Sequence, residues 1–413
     1  MRIVILAGYA PKAPALLHLG TWVLDQALAL QRLGYQVAVI SPTPWVPRGA
    51  GLVSKLARWR AVQKRACIQG IAFAYPRWPV PPQVARLRLF YLLPNNWPKV
   101  LGPSVWRTLA QHAPDVILAH HPLWEGELAR QFKAKEGVPF VTVEHSWTDL
   151  KRAVDNPRAR RWYVRVLAEA DWWFAVNRRM AEEMMRLQGV GWVTSDDIED
   201  HVLRPGGSAL LEKSDRSQPT RLCLGTTLRV LSVGWLGERK GHAVLIRAIK
   251  ELVDRGVPCT LTIVGEGSLR PTLENLVRQL GLHDHVRLVG SRSHAEVLRM
   301  MSEEADVFAL LSWDEPLGVA YLEAMSVGLP IVGTAGEGIA EVITDGEEGF
   351  LVPRGDARGA ADALHKLVDP VVRHKMGKKA KETASRLTWE ANARRLEEVF
   401  ERILSRSKSR RGG

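Results

Sequence analysis

Long apolar runs are missing from this chain of 413 residues. No stretch approaches the roughly 18 consecutive apolar residues that a membrane-spanning helix needs. The opening residues, MRIVILAG, are apolar for too short a distance before a glycine to indicate a secretory signal. We therefore expect a soluble, cytoplasmic enzyme or binding protein.

Cysteine is also scarce, and Cys67, Cys223 and Cys259 are the only three. Their odd number and wide spacing argue against a disulfide framework and against a cysteine metal site. This usage indicates a reducing compartment.

Acidic residues are absent from residue 26 to residue 114, in a chain whose net charge is +13. The first 200 residues contain 26 Lys and Arg against 16 Asp and Glu, and they hold most of the 15 tryptophans. Such a surface attracts polyanions, so nucleic acid, anionic lipid and a phosphate-bearing substrate all fit the charge. No nucleic-acid recognition motif accompanies it, and we expect no nucleic acid as a partner.

The basic stretch LVSKLARWRAVQKRA, residues 52–66, places its cations around Leu52, Leu56 and Trp59 at helical spacing. This pattern is typical of a helix that lies on an anionic membrane, which would make the protein peripheral at the inner face of the cell membrane. A basic, solvated face over a packed core explains the pattern equally well.

The chain is longer than one hydrophobic core usually supports, so two domains are expected. Short apolar runs such as RIVILAG and DVILAHH alternate with helical-period segments, and the alternation restarts after residue 225. Strands that alternate with helices predict parallel sheets with helices on both faces. The polar stretch at residues 206–221 separates the two repeats, so we predict two α/β sheets that bind ligands at the carboxyl ends of their strands.

A dinucleotide-binding enzyme would need the motif G-x-G-x-x-G directly after a strand. The two candidate stretches, VGEGSLR and AGEGIAE, have Arg270 and Glu341 in place of the third glycine. The sequence therefore does not favour an NAD or FAD enzyme.

The stretch LLSWDEPLGVAYLEAMSVG predicts a strand, a tight loop and a helix. Pro316 suits the turn into the helix, and Gly318 lets the backbone approach a ligand, so the N–H groups of the first turn form an anion site. Glu315 lies before this turn and Glu323 about five residues into the helix, roughly 7 to 8 Å further along. A diphosphate with a sugar on one side and a ribose on the other spans that separation. The alternative is a pair of solvated surface acids.

The segment EPLGVAYLEAM resembles the E-x7-E signature of retaining nucleotide-sugar glycosyltransferases of the GT-B fold, above all glycosyltransferase family 4. The similarity covers almost the whole chain, with LSVGWLGERKG in the second half and HLGTWVLDQALALQRLGYQVAV in the first. It implies two Rossmann-like parallel-sheet domains that face each other across a cleft. Residues 1–205 would form the acceptor-binding domain, to which a C-terminal helix at 388–413 crosses back. Residues 222–387 would form the nucleotide-sugar-binding domain.

The resemblance also implies roles for individual residues. Glu323 would hold the ribose hydroxyls and Glu315 the donor sugar, while Lys240 matches the family's phosphate-binding lysine; a leaving diphosphate needs such a cation. His120 matches the family's first-domain histidine near the transferred sugar, and an ordinary polar strand terminus is the alternative. The other predicted contacts are Gly20, Leu317, Gly318 and Val319 at the diphosphate, and Val289, Gly290 and Ser291 at the base.

Trp235 departs from the family pattern, which usually has an arginine at this position that works with the lysine on the phosphates. Arg239, next to Lys240, offers a second positive charge from a different backbone position. We expect Arg239 to compensate; otherwise the activity is weak or the donor is unusual.

The implied reaction moves a hexose from a nucleoside diphosphate to an acceptor hydroxyl with retention at the anomeric carbon. UDP is favoured over GDP because uridine donors are commoner in the family, and a membrane contact would make the acceptor a lipid-linked or membrane-associated glycan. We expect no cofactor and no metal, and the acidic cluster at 196–200 is more typical of helix capping. Two alternatives stay open: a catalytically degenerate GT-B binding protein, and a glycoside hydrolase that uses the two glutamates.

Overall fold

The computed structural model describes residues 1–14, 16–17, 20–46, 54–78, 103–191, 194–207 and 227–409. The chain divides into two compact units. The first comprises Met1–Arg204 and Trp389–Gly413, and the second comprises Pro205–Thr388. None of the described helices is both long enough and apolar enough to cross a membrane.

The described part of the first unit contains a seven-stranded sheet and a two-stranded sheet. The strands are β1 (Arg2–Leu6), β2 (Gln36–Ile40), β3 (Thr43–Pro44), β4 (Arg65–Ile68), β5 (Ile71–Ala74), β6 (Arg77–Trp78), β7 (Val116–His120), β8 (Phe140–Glu144) and β9 (Trp172–Ala175). The larger sheet has the order β4-β5-β2-β1-β7-β8-β9, and β3 pairs with β6. Within the larger sheet β4 and β5 are antiparallel, and the other neighbours are parallel.

Helices connect these strands. They are α1 (Thr21–Arg32), α2 (Ser54–Arg60), α3 (Pro103–His112), α4 (Glu127–Glu136), α5 (Trp147–Asp155), α6 (Pro157–Glu169), α7 (Arg178–Leu187) and α8 (Ser195–Asp200). Strands β7 and β8 are buried at every position, because helices cover both faces of a parallel sheet. This burial explains why their sequences are nearly continuous apolar runs.

The described part of the second unit contains a six-stranded parallel sheet with the order β12-β11-β10-β13-β14-β15. Its strands are β10 (Leu228–Val233), β11 (Cys259–Val264), β12 (Val286–Leu288), β13 (Val307–Ala309), β14 (Ile331–Thr334) and β15 (Gly349–Val352). Its helices are α9 (His242–Asp254), α10 (Arg270–Gln279), α11 (His294–Arg299), α12 (Val319–Ser326), α13 (Ala357–Lys366) and α14 (Pro370–Ala384).

The last helix, α15 (Trp389–Ser409), belongs to the first unit and packs against α1. A buried polar contact fixes the two helices, since Gln26 Nε2 donates to Asn392 Oδ1 at 2.8 Å. Asn392 Nδ2 donates in turn to the carbonyl oxygen of Arg204 at 2.8 Å. Leu396 contributes to the hydrophobic core of the first unit.

Each large sheet reverses its strand order at one place. In the first, the chain passes from β1 outward through β2 and β5, and then returns to β7 on the other side of β1. In the second, it passes from β10 to β12 and returns to β13. Ligands of such sheets bind beyond the carboxyl ends of the strands at the reversal point. The segments after β1, β7, β10 and β13 are therefore the candidate ligand-binding segments.

The helix predicted from the spacing of residues 52–66 is wrong in the second half of the stretch. Helix α2 ends at Arg60, and Arg65 already begins β4. Trp59 packs against the core of the first unit, so it is no exposed apolar anchor, and Leu52 lies outside the described residues. Among the side chains of the stretch that the structure describes, the exposed basic ones are Arg58, Arg60, Lys64 and Arg65.

Candidate active site

The reversal point of the second sheet brings Lys240 and Glu315 together. Lys240 follows β10, in the short 3-10 turn Glu238–Lys240, and Glu315 follows β13. Lys240 Nζ donates a hydrogen bond to Glu315 Oε2. Both side chains keep some exposed surface, 24% for the lysine and 17% for the glutamate. The two residues form a partly open ion pair at the carboxyl edge of the sheet, where an anionic ligand can compete for the lysine.

Backbone contacts hold the loop that carries Glu315. Its N–H donates to Glu337 Oε2 at 3.1 Å, and its carbonyl oxygen accepts from Gly338 N at 3.1 Å. Trp313 N donates to the carbonyl oxygen of Arg239 at 2.8 Å, which ties this loop to the turn of Lys240. Sequence reasoning missed Glu337, because its glycine-rich surroundings have no periodicity that would place it.

Gly241 lets the turn of Lys240 come close to the segment that follows β13. Its φ is +65°, and a Cβ at this position would lie 1.9 Å from the carbonyl oxygen of Leu311. A residue with a side chain would push the turn away from the neighbouring loop, so only glycine fits.

Arg239 also reaches the loop of Glu315. One of its guanidinium nitrogens donates to the carbonyl oxygen of Asp314 at 3.4 Å. Trp235 is 63% exposed, and its indole lies against Gly237. A second positive charge is therefore present beside Glu315, although the usual arginine position is occupied by tryptophan.

Glu323 is buried in α12, with only 7% of its surface exposed. His294 Nε2 lies 2.7 Å from Glu323 Oε1. The alternative that Glu323 is a solvated surface acid is therefore wrong. Sequence reasoning missed His294, although a signal was available: Ser293 and Glu296 form the capping box that starts α11 and places His294 in its first turn.

The start of α12 has the features of an anion site. The helix has eight residues and begins at Val319, and within the described part of the chain no side chain caps it. Gly318 precedes it, and Leu317 before that is buried. The N–H groups of such a first turn carry partial positive charge that favours an anion.

Val289, Gly290 and Ser291 follow β12 and lie at the same edge of the sheet. Val289 N donates to the carbonyl oxygen of Ile263, and Gly290 O accepts from Gly265 N, each at 3.0 Å. Strand β12 is two positions from β10 in the sheet. These residues thus share an edge with Lys240, and their predicted role at the base stays a prediction.

The reversal point of the first sheet carries two neighbouring histidines. His120 ends β7, and His121 begins the π-helical turn His121–Gly126. His121 has a φ of +70°, which is unusual for a residue with a side chain. The two imidazoles make different contacts, and their charges differ.

His120 is neutral and bears its proton on Nε2. Its Nε2 lies 3.0 Å from Gln26 Oε1. The amide nitrogen of Gln26 donates to Asn392, so Gln26 Oε1 must accept the proton of His120. Burial, together with the charge of His121, lowers the pKa of His120 to about 3. The predicted contact of His120 with a transferred sugar stays a prediction.

His121 is a buried imidazolium held between carboxylates. Its Nδ1 lies 3.0 Å from Glu144 Oε1 and 3.7 Å from Asp149 Oδ2. Burial alone would lower its pKa, but the hydrogen bond to Glu144 and the charges of Glu144, Asp149 and Glu125 raise the pKa to about 9. Tyr163 also donates to Glu144, at 2.9 Å. Among the described residues, one side-chain nitrogen or oxygen each of His121, Glu144 and Asp149 lies within 4.8 Å of the other two, which is close enough for a metal ion. The ion pairs of His121 with the two carboxylates account for these contacts.

A buried lysine and a buried glutamate hold the loop after β1. Lys12 Nζ donates to the carbonyl oxygen of Gly8 at 2.9 Å and to Ser41 Oγ, and Glu125 Oε1 accepts from Gly8 N at 2.8 Å. Burial lowers the pKa of Lys12 to about 7 and raises that of Glu125 to about 7. Burying two ionisable groups costs free energy that their hydrogen bonds must offset. These hydrogen bonds fix the position of the loop after β1.

Gly20 lies at the same edge of the first sheet. It has a φ of +55° and directly precedes α1, and a Cβ there would lie 2.3 Å from the carbonyl oxygen of Tyr9, in the loop after β1. Close backbone packing therefore requires glycine here. Its predicted contact with a diphosphate stays a prediction.

The stability that His121 provides is expected to depend on pH. Its pKa is about 9 in the folded chain and about 6.5 when unfolded. The contribution is therefore fully present below about pH 6.5 and is lost as the pH rises through about 9. We expect the difference in unfolding free energy between the natural chain and His121→Asn to shrink over this window, in urea titrations at several pH values. Asparagine tolerates the positive φ. A difference that stays constant from pH 6 to 10 would contradict a charged His121.

Comparison with known proteins identifies the family. Residues 222–383 match the family model described as glycosyl transferases group 1, and residues 19–195 match that of glycosyltransferase family 4. The amylovoran biosynthesis glycosyltransferase AmsK of Erwinia amylovora is 31% identical over 306 residues, which cover 70% of this chain and 71% of AmsK.

Solved structures show the same fold at lower identity. Sucrose-phosphate synthase of Thermosynechococcus elongatus matches with a TM-score of 0.75 and 21% identity, over 98% of this chain and 99% of that one. HepE of Anabaena, solved in complex with UDP and glucose, matches with a TM-score of 0.67 and 17% identity, over 97% and 99%. The chain therefore has the GT-B fold, belongs to glycosyltransferase family 4 and is a glycosyltransferase.

Proposed function

We propose that this glycosyltransferase moves a sugar from a nucleoside diphosphate to an acceptor hydroxyl with retention at the anomeric carbon. The ion pair of Lys240 and Glu315 at the reversal point of the second sheet carries this proposal. A nucleotide sugar offers a diphosphate to the lysine and sugar hydroxyls to the glutamate, so one ligand engages both. Glu323, with His294 holding one of its oxygens, accepts hydrogen bonds from the ribose.

The chemical difficulty is the negative charge that develops on the leaving diphosphate. Lys240, Arg239 and the N–H groups at the start of α12 stabilise that charge. In a front-face route the bond from the anomeric carbon to the phosphate oxygen breaks as the acceptor oxygen bonds on the same face. The departing phosphate oxygen takes the proton of the acceptor hydroxyl. This route needs no separate base, and in our proposal it uses no metal ion.

UDP is the donor nucleotide that we favour, and the complex of HepE with UDP and glucose supports a uridine nucleotide on this fold. For the acceptor we propose a lipid-linked or membrane-associated glycan. The support is the exposed basic set Arg58, Arg60, Lys64 and Arg65, which suits an anionic membrane surface. Co-sedimentation with vesicles tests this contact, and binding that does not depend on anionic lipid would contradict it.

A glycoside hydrolase would use Glu315 and Glu323 together on one glycosidic bond, as acid and as nucleophile or base. In the structure Glu315 contacts Lys240, whereas Glu323 contacts His294. Because the two glutamates have different partners, they suit the binding of two different groups of one long ligand. They suit joint catalysis at a single glycosidic bond less well. Release of free sugar from a glycoside that carries no nucleotide would favour the hydrolase.

The decisive experiment is a panel of UDP- and GDP-sugars, with release of the nucleoside diphosphate as the readout. We expect one UDP-sugar to give release that a glycan acceptor accelerates. The anomeric configuration of the product, read by NMR, then tests retention. A panel with no release above that of heat-inactivated protein would contradict the proposed function.

Arg239→Ala is expected to lower kcat by about tenfold, because one of two charges beside the diphosphate is lost. Trp235→Arg introduces an arginine at the position where the family usually has one. We therefore expect Trp235→Arg to restore most of the activity when it is combined with Arg239→Ala. Steady-state nucleotide release from the best donor measures both effects. Full turnover of Arg239→Ala alone would show that Arg239 does not compensate for Trp235.

A further inference from the structure

Glu337 holds a carboxylate beside Glu315 at the carboxyl edge of the second sheet. Its Oε2 accepts a hydrogen bond from Glu315 N at 3.1 Å, and the next residue, Gly338, donates from its N–H to Glu315 O at 3.1 Å. Glu337 is partly exposed, and none of the Lys, Arg and His side chains that the structure describes forms an ion pair with it. It is therefore a negative charge without a cation, next to the glutamate that we assign to the donor sugar.

The carboxylates of Glu315 and Glu337 both act on the buried phenol of Tyr321. Burial is the main cause that raises the pKa of Tyr321, and the charges of the two carboxylates raise it further. Within the described ranges, Lys240 is the one cation that forms an ion pair with either carboxylate, through Glu315. The two negative charges thus have one paired cation between them.

Two other cations beside this loop make different contacts. Arg239 donates to the carbonyl oxygen of Asp314 at 3.4 Å. The guanidinium of Arg354 lies over the indole of Trp313, 4.6 Å from the ring centroid. Because neither arginine forms an ion pair with the two carboxylates, the charge of Glu337 stays unpaired.

A diphosphate that binds Lys240 takes the paired cation away from Glu315. Two neighbouring carboxylates then lie beside the donor sugar, and without a cation each disfavours the ionised form of the other. The hydroxyls of a neutral sugar donate hydrogen bonds but bring no charge, whereas an ammonium group brings a positive charge and three N–H donors. An ammonium group on the sugar therefore restores the charge balance that the diphosphate removes.

Thr334, at the end of β14, offers a further polar atom in the same loop. Its Oγ1 is buried and has no hydrogen-bond partner among the residues that the structure describes. The loop returns to Thr334 at Glu337, whose N–H donates to the carbonyl oxygen of Thr334 at 3.4 Å. Buried polar atoms are nearly always paired, so this hydroxyl is equipped to contact a polar ligand at residues 334–337.

We infer that the donor sugar of this enzyme carries a primary amino group, whose ammonium ion binds between the carboxylates of Glu337 and Glu315. Glu337 is then the residue that selects an amino sugar over a neutral one. The inference rests on the proposed function, which assigns the diphosphate to Lys240 and the sugar to Glu315.

Isothermal titration calorimetry tests this selectivity without turnover. The ligands are UDP, UDP-glucose and three UDP-sugars that have an amino group in place of the hydroxyl at C2, C3 or C4 of glucose. At pH 6.5 we expect one of the three amino sugars to bind about 10- to 100-fold more tightly than UDP-glucose, the range for hydrogen bonds to a charged group. If UDP-glucose binds as tightly as all three, the inference is overturned.

Glu337→Gln removes the charge but keeps a side-chain oxygen that accepts from Glu315 N. We expect the ratio of the Kd of UDP-glucose to that of the preferred amino sugar to fall to about 3 or less in this variant, because the hydrogen bond to the loop survives and the ion pair does not. UDP, which has no sugar, checks that the nucleotide site of the variant is folded. An unchanged ratio would show that Glu337 does not bind the ammonium ion.

Glu347→Gln is the matched control. Glu347 belongs to the same unit but lies before β15, at the opposite edge of the sheet, where it pairs with Lys379 at the surface. We expect this variant to keep the selectivity ratio within about 2-fold of that of the natural chain. An equal loss of selectivity in both variants would contradict a specific role of Glu337.

The pH dependence of the ratio tests the ammonium ion on the natural chain alone. A sugar amine loses its proton near pH 8, as an α-amino group does, and binding between two carboxylates raises that value. The advantage of the amino sugar is therefore fully present below about pH 8 and is lost as the pH rises above it. UDP-glucose, measured at each pH, corrects for titration of the protein. A ratio that stays constant from pH 6.5 to 10 would overturn the inference.

The same titrations distinguish this inference from the proposed function. A chain that binds UDP and UDP-glucose but prefers no amino sugar would overturn the inference and leave the proposed function standing. A chain that binds neither UDP nor any of the four UDP-sugars would contradict the proposed function itself.

Discussion

Lys240→Ala is expected to lower kcat for sugar transfer by about 100- to 1000-fold, the usual effect of removing one group that stabilises developing negative charge. The substitution removes the Nζ atom that contacts Glu315 and that we assign to the leaving diphosphate. The charge on the diphosphate is larger in the transition state than in the bound donor, so KM should change less than kcat. Nucleotide release at saturating donor measures the effect.

Lys250→Ala is the matched control for this prediction. Lys250 lies in the same unit on α9, where it pairs with Asp254 at the helix surface. We expect this variant to keep kcat within about 2-fold, because an exposed pair of this kind contributes little. Lys240→Arg should recover part of the rate, since it restores the charge with a different shape. A Lys240→Ala enzyme with the natural kcat would show that the lysine does not act on the diphosphate.

Glu144→Ala is expected to lower the free energy of unfolding by about 3 to 5 kcal/mol, the usual cost of removing one partner of a buried ion pair. Glu144 is fully buried and accepts hydrogen bonds from His121, from Tyr163 and from the backbone N–H of Ser146. Its loss leaves an imidazolium and a phenol without their acceptor in the core of the first unit. Urea unfolding followed by tryptophan fluorescence measures the change.

Glu183→Ala is the control for the stability prediction. Glu183 also belongs to the first unit, but it pairs with Arg186 along the surface of α7, at a site where solvent screens the charges. We expect a change below about 0.5 kcal/mol. Equal effects of the two substitutions on the free energy of unfolding would mean that the buried contacts of Glu144 do not stabilise the fold.

The fold was largely predictable because its signals are local. Continuous apolar runs predicted buried parallel strands, and helical-period segments between them predicted the connecting helices. The prediction for residues 52–66 was wrong at its end because charge and apolar spacing fitted a helix, whereas the chain turns after Arg60 and pairs Arg65–Ile68 with β5 instead. Strand pairing is a tertiary contact, and it overrode the local pattern.

The candidate site was predictable only in part. The spacing of Glu315 and Glu323 indicated a ligand site at α12, and a resemblance to a family motif predicted Lys240. His294 and Glu337, which contact the two glutamates, carried no motif of their own. His120 and His121 are neighbours in sequence, yet one is neutral and the other charged, because the carboxylates of Glu144 and Asp149, at the end of β8 and in α5, lie against His121.

The sequence by itself determined the α/β class, the two repeats and the family, because apolar periodicity and motif spacing are properties of short segments. The tertiary structure decided which distant groups meet. Lys240 and Glu315 are 75 residues apart, and Gln26 and Asn392 are 366 apart, yet each pair forms a hydrogen bond. The order of strands in each sheet sets these contacts, together with the return of the last helix to the first unit. Burial then keeps His120 neutral, whereas the neighbouring carboxylates keep His121 charged, so these charge states exist only in the folded chain.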